Sequence, residues 1–168
     1  VNDTTESLLR DVAARLQKAI LARDCPAVVA LCGHRTLMMS DYDYLRDEAT
    51  ARSFEHRAAA KAREIEATRW VLAVPQVWQE VEGGVAARAV SNHPLRPGEQ
   101  EVITWMSCDA DDGVDYGYVP YTRRPNREPV FDAVKVFTEP VRPRPEMPGF
   151  TLLTALMDVD DEGSSSPS

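Results

Sequence analysis

The sequence predicts an α+β protein, with two to three N-terminal helices packed on a curved antiparallel sheet of about five or six strands. Two observations carry that expectation. From Asp3 to Ala67, apolar residues recur at helical spacing behind helix-capping residues. From Arg69 to Met157, β-branched and aromatic residues alternate with polar ones and are interrupted by glycine and proline turns. Helices first and strands after is the order of an α+β domain, with helices on one face of an antiparallel sheet.

At 168 residues, one domain is expected over 1–157, followed by a disordered acidic and then Ser-rich tail over 158–168. A chain of this length can bury a substantial core without disulfides or metals. The net charge of −8 and a pI near 4.9 argue against nucleic acid and anionic membranes as partners, since both select a basic surface. No apolar run approaches the roughly 20 residues of a membrane helix, and no basic segment precedes an apolar one at the start. The expectation is therefore a cytoplasmic protein. Cys25, Cys32 and Cys108 form neither a disulfide framework nor a zinc pattern, so they read as buried thiols of a reducing compartment. Three lysines against sixteen arginines suggest a GC-rich bacterial genome.

The first helix is expected over Thr4–Ala22. Asp3 and Glu6 form a capping box, and Leu9, Val12, Leu16, Ala19 and Ile20 make the buried stripe. Asp24-Cys25-Pro26 restarts the chain, and Pro26–Cys32, bounded by Gly33, reads as a short, wholly buried second helix. Leu37, Met38 and Met39 fit a short strand or a buried turn. Ser40 and Asp41 suit the cap of a third helix over Asp41–Ala67. Its narrow stripe of Tyr44, Ala51, Ala58 and Ile65 would lie on the sheet, and its alanines would also suit a dimer contact.

The strands follow. Trp70–Val81 contains Pro75, which points to an edge position or a bulge because proline removes a ladder donor. Glu82-Gly83-Gly84 turns the chain back into Val85–Ser91. After a loop over Asn92–Gln100 come Glu101–Cys108, Val114–Tyr121 and Val130–Thr138, with Phe131 and Phe137 together on one side of the last. Glu139–Gly149 is proline-rich irregular chain, and Phe150–Met157 reads as a final strand, apolar on both faces.

Ala19-Ile20-Leu21-Ala22-Arg23-Asp24, followed by Pro26–Leu31, resembles the opening of the NTF2-like superfamily, the cone fold of nuclear transport factor 2, the SnoaL cyclases and ketosteroid isomerase. Gln76-Val77-Trp78 through Gly83-Gly84-Val85-Ala86 is similar to that family's central hairpin. The likeness covers about a third of the chain. The strand or hairpin that precedes the family's third helix has little room at Thr36–Met39. Pro148-Gly149-Phe150 stands where the family closes with a glycine-tryptophan turn. The resemblance implies a pocket between sheet and helices and, for an enzyme, cofactor-free isomerisation, cyclisation or dehydration. No catalytic pair of the family maps onto this chain.

His34, His56 and His93 share no metal-ligand spacing with each other or with cysteine, so neither a metal nor a cofactor is expected. There is no Gly-x-Ser-x-Gly elbow and no phosphate-binding glycine loop. Aromatic residues are the more informative class, since buried Trp and Tyr carry polar atoms that need partners. The pocket candidates are Tyr44, His56, Trp78, Trp105, Tyr116 and Tyr118, with Asp115 or Asp132 as a desolvated carboxylate. Arg123, Arg124 and Arg127, with Arg142 and Arg144, would form one patch only if the proline-rich segment folds back. Two readings follow: a small apolar or aromatic ligand held between sheet and helices, or a non-catalytic protein that binds a protein partner, including a second copy of itself. A filled core with an exposed apolar sheet face would favour the second.

Overall fold

The computed structural model describes residues 1–90, 94–138 and 141–164, the last seven of these for their backbone only. Helix α1 (Asp3–Leu21) leads into the hairpin β1 (Ala27–Cys32) and β2 (Thr36–Asp41). Helix α2 (Glu48–Glu64) follows, then β3 (Arg69–Val81), β4 (Gly84–Ala89), β5 (Glu99–Asp109) and β6 (Gly113–Arg123). Two short strands, β7 (Pro129–Phe131) and β8 (Lys135–Val136), precede α3 (Phe150–Ser164). All strands join one curled antiparallel sheet in the order β2-β1-β3-β5-β6-β7, with β4 also on β3 and β8 also on β6. The class is α+β.

Both faces of the sheet are covered, not one. Leu8, Leu9, Val12, Leu16 and Ile20 of α1 pack on Val28, Ala30, Val71, Ala73, Ile103, Trp105 and Val119. Phe54, Ala58, Ala59 and Ala62 of α2 pack with Leu152 and Leu153 of α3 on Val29, Leu31, Leu72, Val74, Met106 and Tyr116. Alternate residues of β1, β3, β5 and β6 therefore feed two separate cores, which is why these strands are apolar on both sides. In β5, Ile103 and Trp105 face α1 while Met106 and Cys108 face α2 and α3.

Several local expectations are overturned. Pro26–Cys32 is not a helix: Ala27–Cys32 is β1, flanked by β2 and β3. A short apolar run has no periodicity to separate helix from strand, and the sheet's hydrogen bonds decide it. The Arg23-Asp24 step thus opens a strand, and a hairpin does precede α2. The cap of α1 is Asn2, whose side chain accepts the Thr5 N–H, rather than Asp3. The cap of α2 is Asp47, whose Oδ1 accepts the Thr50 N–H at 2.7 Å, rather than Ser40 or Asp41. Tyr44 consequently lies in the turn before α2. Of the alanines of α2, Ala58, Ala59 and Ala62 are buried within the chain beneath α3 and β1, whereas Ala49 and Ala60 are exposed.

Phe150–Met157 is helical and belongs to α3, which runs on to Ser164 in the stretch expected as tail. Leu152, Leu153 and Leu156 are spaced for one helix face, and that face lies on α2. Residues 165–168 of the expected tail lie outside the described residues, as do Ser91, Asn92, His93, Glu139 and Pro140.

Pro75 is neither at an edge nor in a bulge. It pairs with Ile103 in an unbroken register between β3 and β5. On the other side of β3, pairing with β1 ends at Ala73 and pairing with β4 begins at Gln76. The ring nitrogen, which has no hydrogen to donate, meets the gap between these two partner strands.

Candidate functional site

The buried ionisable groups are the first place to look for chemistry, and the buried carboxylates Glu55, Glu101 and Asp109 are each held in a structural contact. Glu55 lies on the inner face of α2. Its Oε2 accepts the Tyr44 hydroxyl at 2.7 Å, and its Oε1 accepts the Leu152 N–H at 3.0 Å. Burial raises its pKa, and the hydrogen bonds from Tyr44, Leu152 and Gly149 oppose the rise. A carboxylate facing the first turn of α3 also meets the positive end of that helix. Burial beside Glu55 likewise pushes the Tyr44 hydroxyl far up.

Asp109 ends β5. Burial works to raise its pKa, but hydrogen bonds from Asp111, Asn2, Thr5 and Asp112 outweigh that and hold the carboxyl at about 2. Arg69 stands 3.5 Å from the same carboxylate. Glu101, nearly buried on the α1 side of the sheet, binds Arg123 through two bonds of 2.8 and 3.1 Å. Burial pushes the thiols of Cys25 and Cys108 up, away from the reactive thiolate. All three cysteines are half-buried and free. No group of three His, Cys, Asp or Glu residues that could hold a metal ion occurs among the described residues. No described helix is long and apolar enough to cross a membrane.

The six pocket candidates do not converge. Tyr44 is buried in the core beneath α2, and His56 is exposed on the outer face of that helix. Trp105 is 1% exposed on the α1 side of the sheet, whereas Tyr116 faces α2 and α3. One cavity shared by Trp78, Trp105 and Tyr116 is excluded by the strand alternation itself. Neither Asp115, half-buried, nor Asp132, exposed, is a desolvated carboxylate. Among the described residues, buried carboxylates are those of Glu55, Glu101 and Asp109, with the side chain of Glu99 also nearly covered beside Arg88. Two of them had a sequence signal. Glu101 sits two residues from Ile103 and four from Trp105 on an apolar strand face, and Glu55 shares a helix face with Ala59 and Ala62. Arg123 is taken up by Glu101 and does not add to a free arginine patch.

Trp78 and Tyr118 do meet. Their ring centroids are 5.0 Å apart, and Phe137 completes the cluster at 6.0 Å from Trp78 and 5.4 Å from Tyr118. The core beneath α2 and α3 ends at Val74, Met106 and Tyr116. Beyond it on the same face, Gln76, Trp78, Thr104 and Tyr118 are half-exposed and Phe137 is exposed. Gln76 Oε1 accepts both the Trp78 indole N–H at 3.2 Å and the Thr104 hydroxyl at 2.8 Å. The indole is thereby fixed with its polar atom satisfied and its ring outward.

Register extends this surface to both sides. Trp78 stands opposite Ala87, and Glu80 opposite exposed Val85, which puts both β4 residues on the face of the cluster. Toward the other edge, a shallow cleft of about 280 Å³ is lined by Gln100, Pro120, Tyr121, Thr122, Val130, Phe131 and Asp132. Phe137 reaches the cluster because β7 and β8 are not one strand. Phe131 pairs with Tyr121, whereas Val136 pairs with Gly117, a shift of one residue that turns Phe131 to the α1 side and Phe137 to the other. An uninterrupted strand over Val130–Thr138 would have put both on one face.

Comparison of the chain with protein-family models, with curated proteins and with solved structures found no match.

Proposed function

We propose that this chain is a non-catalytic protein-binding module that takes its partner on the uncovered end of the sheet. The observation that supports it best is the cluster of Trp78, Tyr118 and Phe137, in mutual contact at the surface beyond the core that α2 and α3 cover, with the Trp78 indole held by Gln76. Fixed aromatic side chains supply large contact area at little entropic cost, and they dominate binding at protein interfaces. The space between sheet and helices, where a small-ligand pocket was expected, is filled by side chains of the two cores. Each buried carboxylate is committed to a hydrogen-bonded structural contact, which weighs against acid/base catalysis.

The NTF2-like kinship belongs to the same proposal. The helix-first order and the β3–β4 hairpin support it, and β1 in place of a second helix counts against it. A bacterial source and a cytoplasmic setting rest on composition alone.

The test is site-specific photo-crosslinking in the native host, with a photoreactive phenylalanine at position 137 and, as control, at the exposed Leu21 of α1. The expected result is a discrete protein adduct from position 137 only, lost when Trp78→Ala is added. No adduct, together with a thermal shift by small aromatic compounds that Trp78→Ala abolishes, would replace this reading with the small-ligand one.

A further inference from the structure

The edge of β4 has a geometry that fits a particular partner. The two-residue turn Glu82-Gly83 joins Val81 to Gly84, which pair directly, so hydrogen-bonded pairs with β3 recur at Gly84, Ala86 and Arg88. Val85, Ala87 and Ala89 then turn their N–H and C=O groups away from β3, toward the outer flank. Natural edges are guarded by a charge, a proline or a bulge. β4 has no proline, and its register with β3 has no bulge. Its one charged residue, Arg88, reaches across β3 to Glu99, with bonds of 2.7 and 3.0 Å, and its Nη1 also donates to the Ala89 carbonyl oxygen at 3.1 Å. The strand is exposed on both faces over most of its length, whereas the apolar side chains of β2, on the same flank of the sheet, already pack against the two cores.

We propose that a second copy of this chain pairs with β4, antiparallel about a two-fold axis at Ala87, to make one continuous sheet across two protomers. The chain's own side chains select that register. With Ala87 opposite Ala87 of the partner, Val85 meets Ala89 and Ala86 meets Arg88, so no like charges face each other. All three outward-facing residues then form hydrogen-bonded pairs, about six bonds in total, with the Ala89 carbonyl oxygen accepting from both Arg88 and the partner strand. Registers centred on Arg88 or on Ala86 each lose a pair of bonds within β4. Val85 and Ala87 share the face of Trp78, so the junction places the two aromatic surfaces side by side on one face of the joined sheet. This inference does not depend on what those aromatic surfaces bind.

Sedimentation velocity over roughly 1–100 μM, the range of weak specific association, tests it on the full chain. The wild type is expected at twice the chain mass. Ala87→Lys, at an exposed position, is expected to keep the circular dichroism spectrum and to weaken association more than about tenfold, because it sets two ammonium groups against each other. A covalent readout fixes the register. Under mild copper–phenanthroline oxidation, Ala87→Cys chains link to one another and Ala86→Cys chains do not, against the wild type's own cysteines as background. A monomeric wild type, a dimer that survives Ala87→Lys, or equal linking at both positions overturns the proposal. Trp78→Ala leaves the dimer intact, which separates this test from that of the binding surface.

Discussion

Glu55 and Leu152 stand 97 residues apart in the chain, yet Glu55 Oε1 accepts the Leu152 N–H at 3.0 Å. One buried carboxylate on α2 thereby fixes the start of the C-terminal helix and, through Tyr44, the turn that precedes α2. Replacing it by alanine leaves a hydroxyl and an amide buried without their acceptor. Glu55→Ala is expected to cost about 2–4 kcal/mol and to speed amide exchange in α3 selectively. Glu55→Gln keeps an acceptor for Leu152 and a donor for the Tyr44 oxygen, and should cost less than about 1 kcal/mol. Equal exchange of α3 in both variants would remove Glu55 from this role.

Glu55 and Asp109 pull the pH dependence of stability in opposite directions. The folded pKa of Asp109 is depressed to about 2, so its contribution is full above the ordinary carboxylate range and is lost as pH falls through that value. The loss is on the order of 1–2 kcal/mol between about pH 4 and 2. The pKa of Glu55 is raised, so its contribution is full below the ordinary range and is lost as pH rises through the folded value. Denaturant melts should therefore show Asp109→Asn flattening the acid limb, and Glu55→Gln gaining relative to wild type toward neutral pH.

Trp105 lies across Gly117 on the neighbouring strand. A β-carbon at position 117 would collide with the Trp105 ring and with the Lys135 carbonyl oxygen. Neither a packed indole nor a strand backbone can give way cheaply. Gly117→Ala should destabilise by about 1–3 kcal/mol, the range for overpacked cores, as read from urea melts. Trp105→Ala with Gly117→Ala should cost less than the sum of the two single changes, because the pair is in contact.

The Tyr116 hydroxyl is buried with no hydrogen-bond partner among the described residues. Tyr116→Phe removes that desolvated group and keeps the ring. It should hold or raise the melting temperature, by up to about 1 kcal/mol in free energy. A drop of more than 1 kcal/mol would reveal a partner for the hydroxyl.

Of the three tryptophans, Trp70 is 3% exposed and Trp105 1% exposed, whereas Trp78 is half-exposed. Acrylamide should quench one fraction of the fluorescence, and Trp78→Phe should abolish that fraction with a blue shift of the remainder. Bound partner should protect the same fraction.

The strands β3, β5 and β6 were legible in the sequence, β3 as a long run of β-branched and aromatic residues before a glycine turn, and β5 and β6 because a period of two fixes which side chains share a face whatever the strand order. The long stripe of α1 was legible for the same reason, its spacing spelling out a helix with one buried side. The amphipathic part of α2 was legible too, although its cap was not, since Asp41 and Asp47 are equally good caps and the β1–β2 hairpin consumes the first. Tertiary structure alone decided β1 and α3, two short apolar segments whose local pattern fits helix and strand alike, so that partners settled the matter. It also decided the aromatic surface. Trp78 and Tyr118 were readable as strand aromatics, but Phe137 joins them only because one residue of register separates β7 from β8. That shift comes from how the two strands hydrogen-bond to β6, and residue types alone do not carry it.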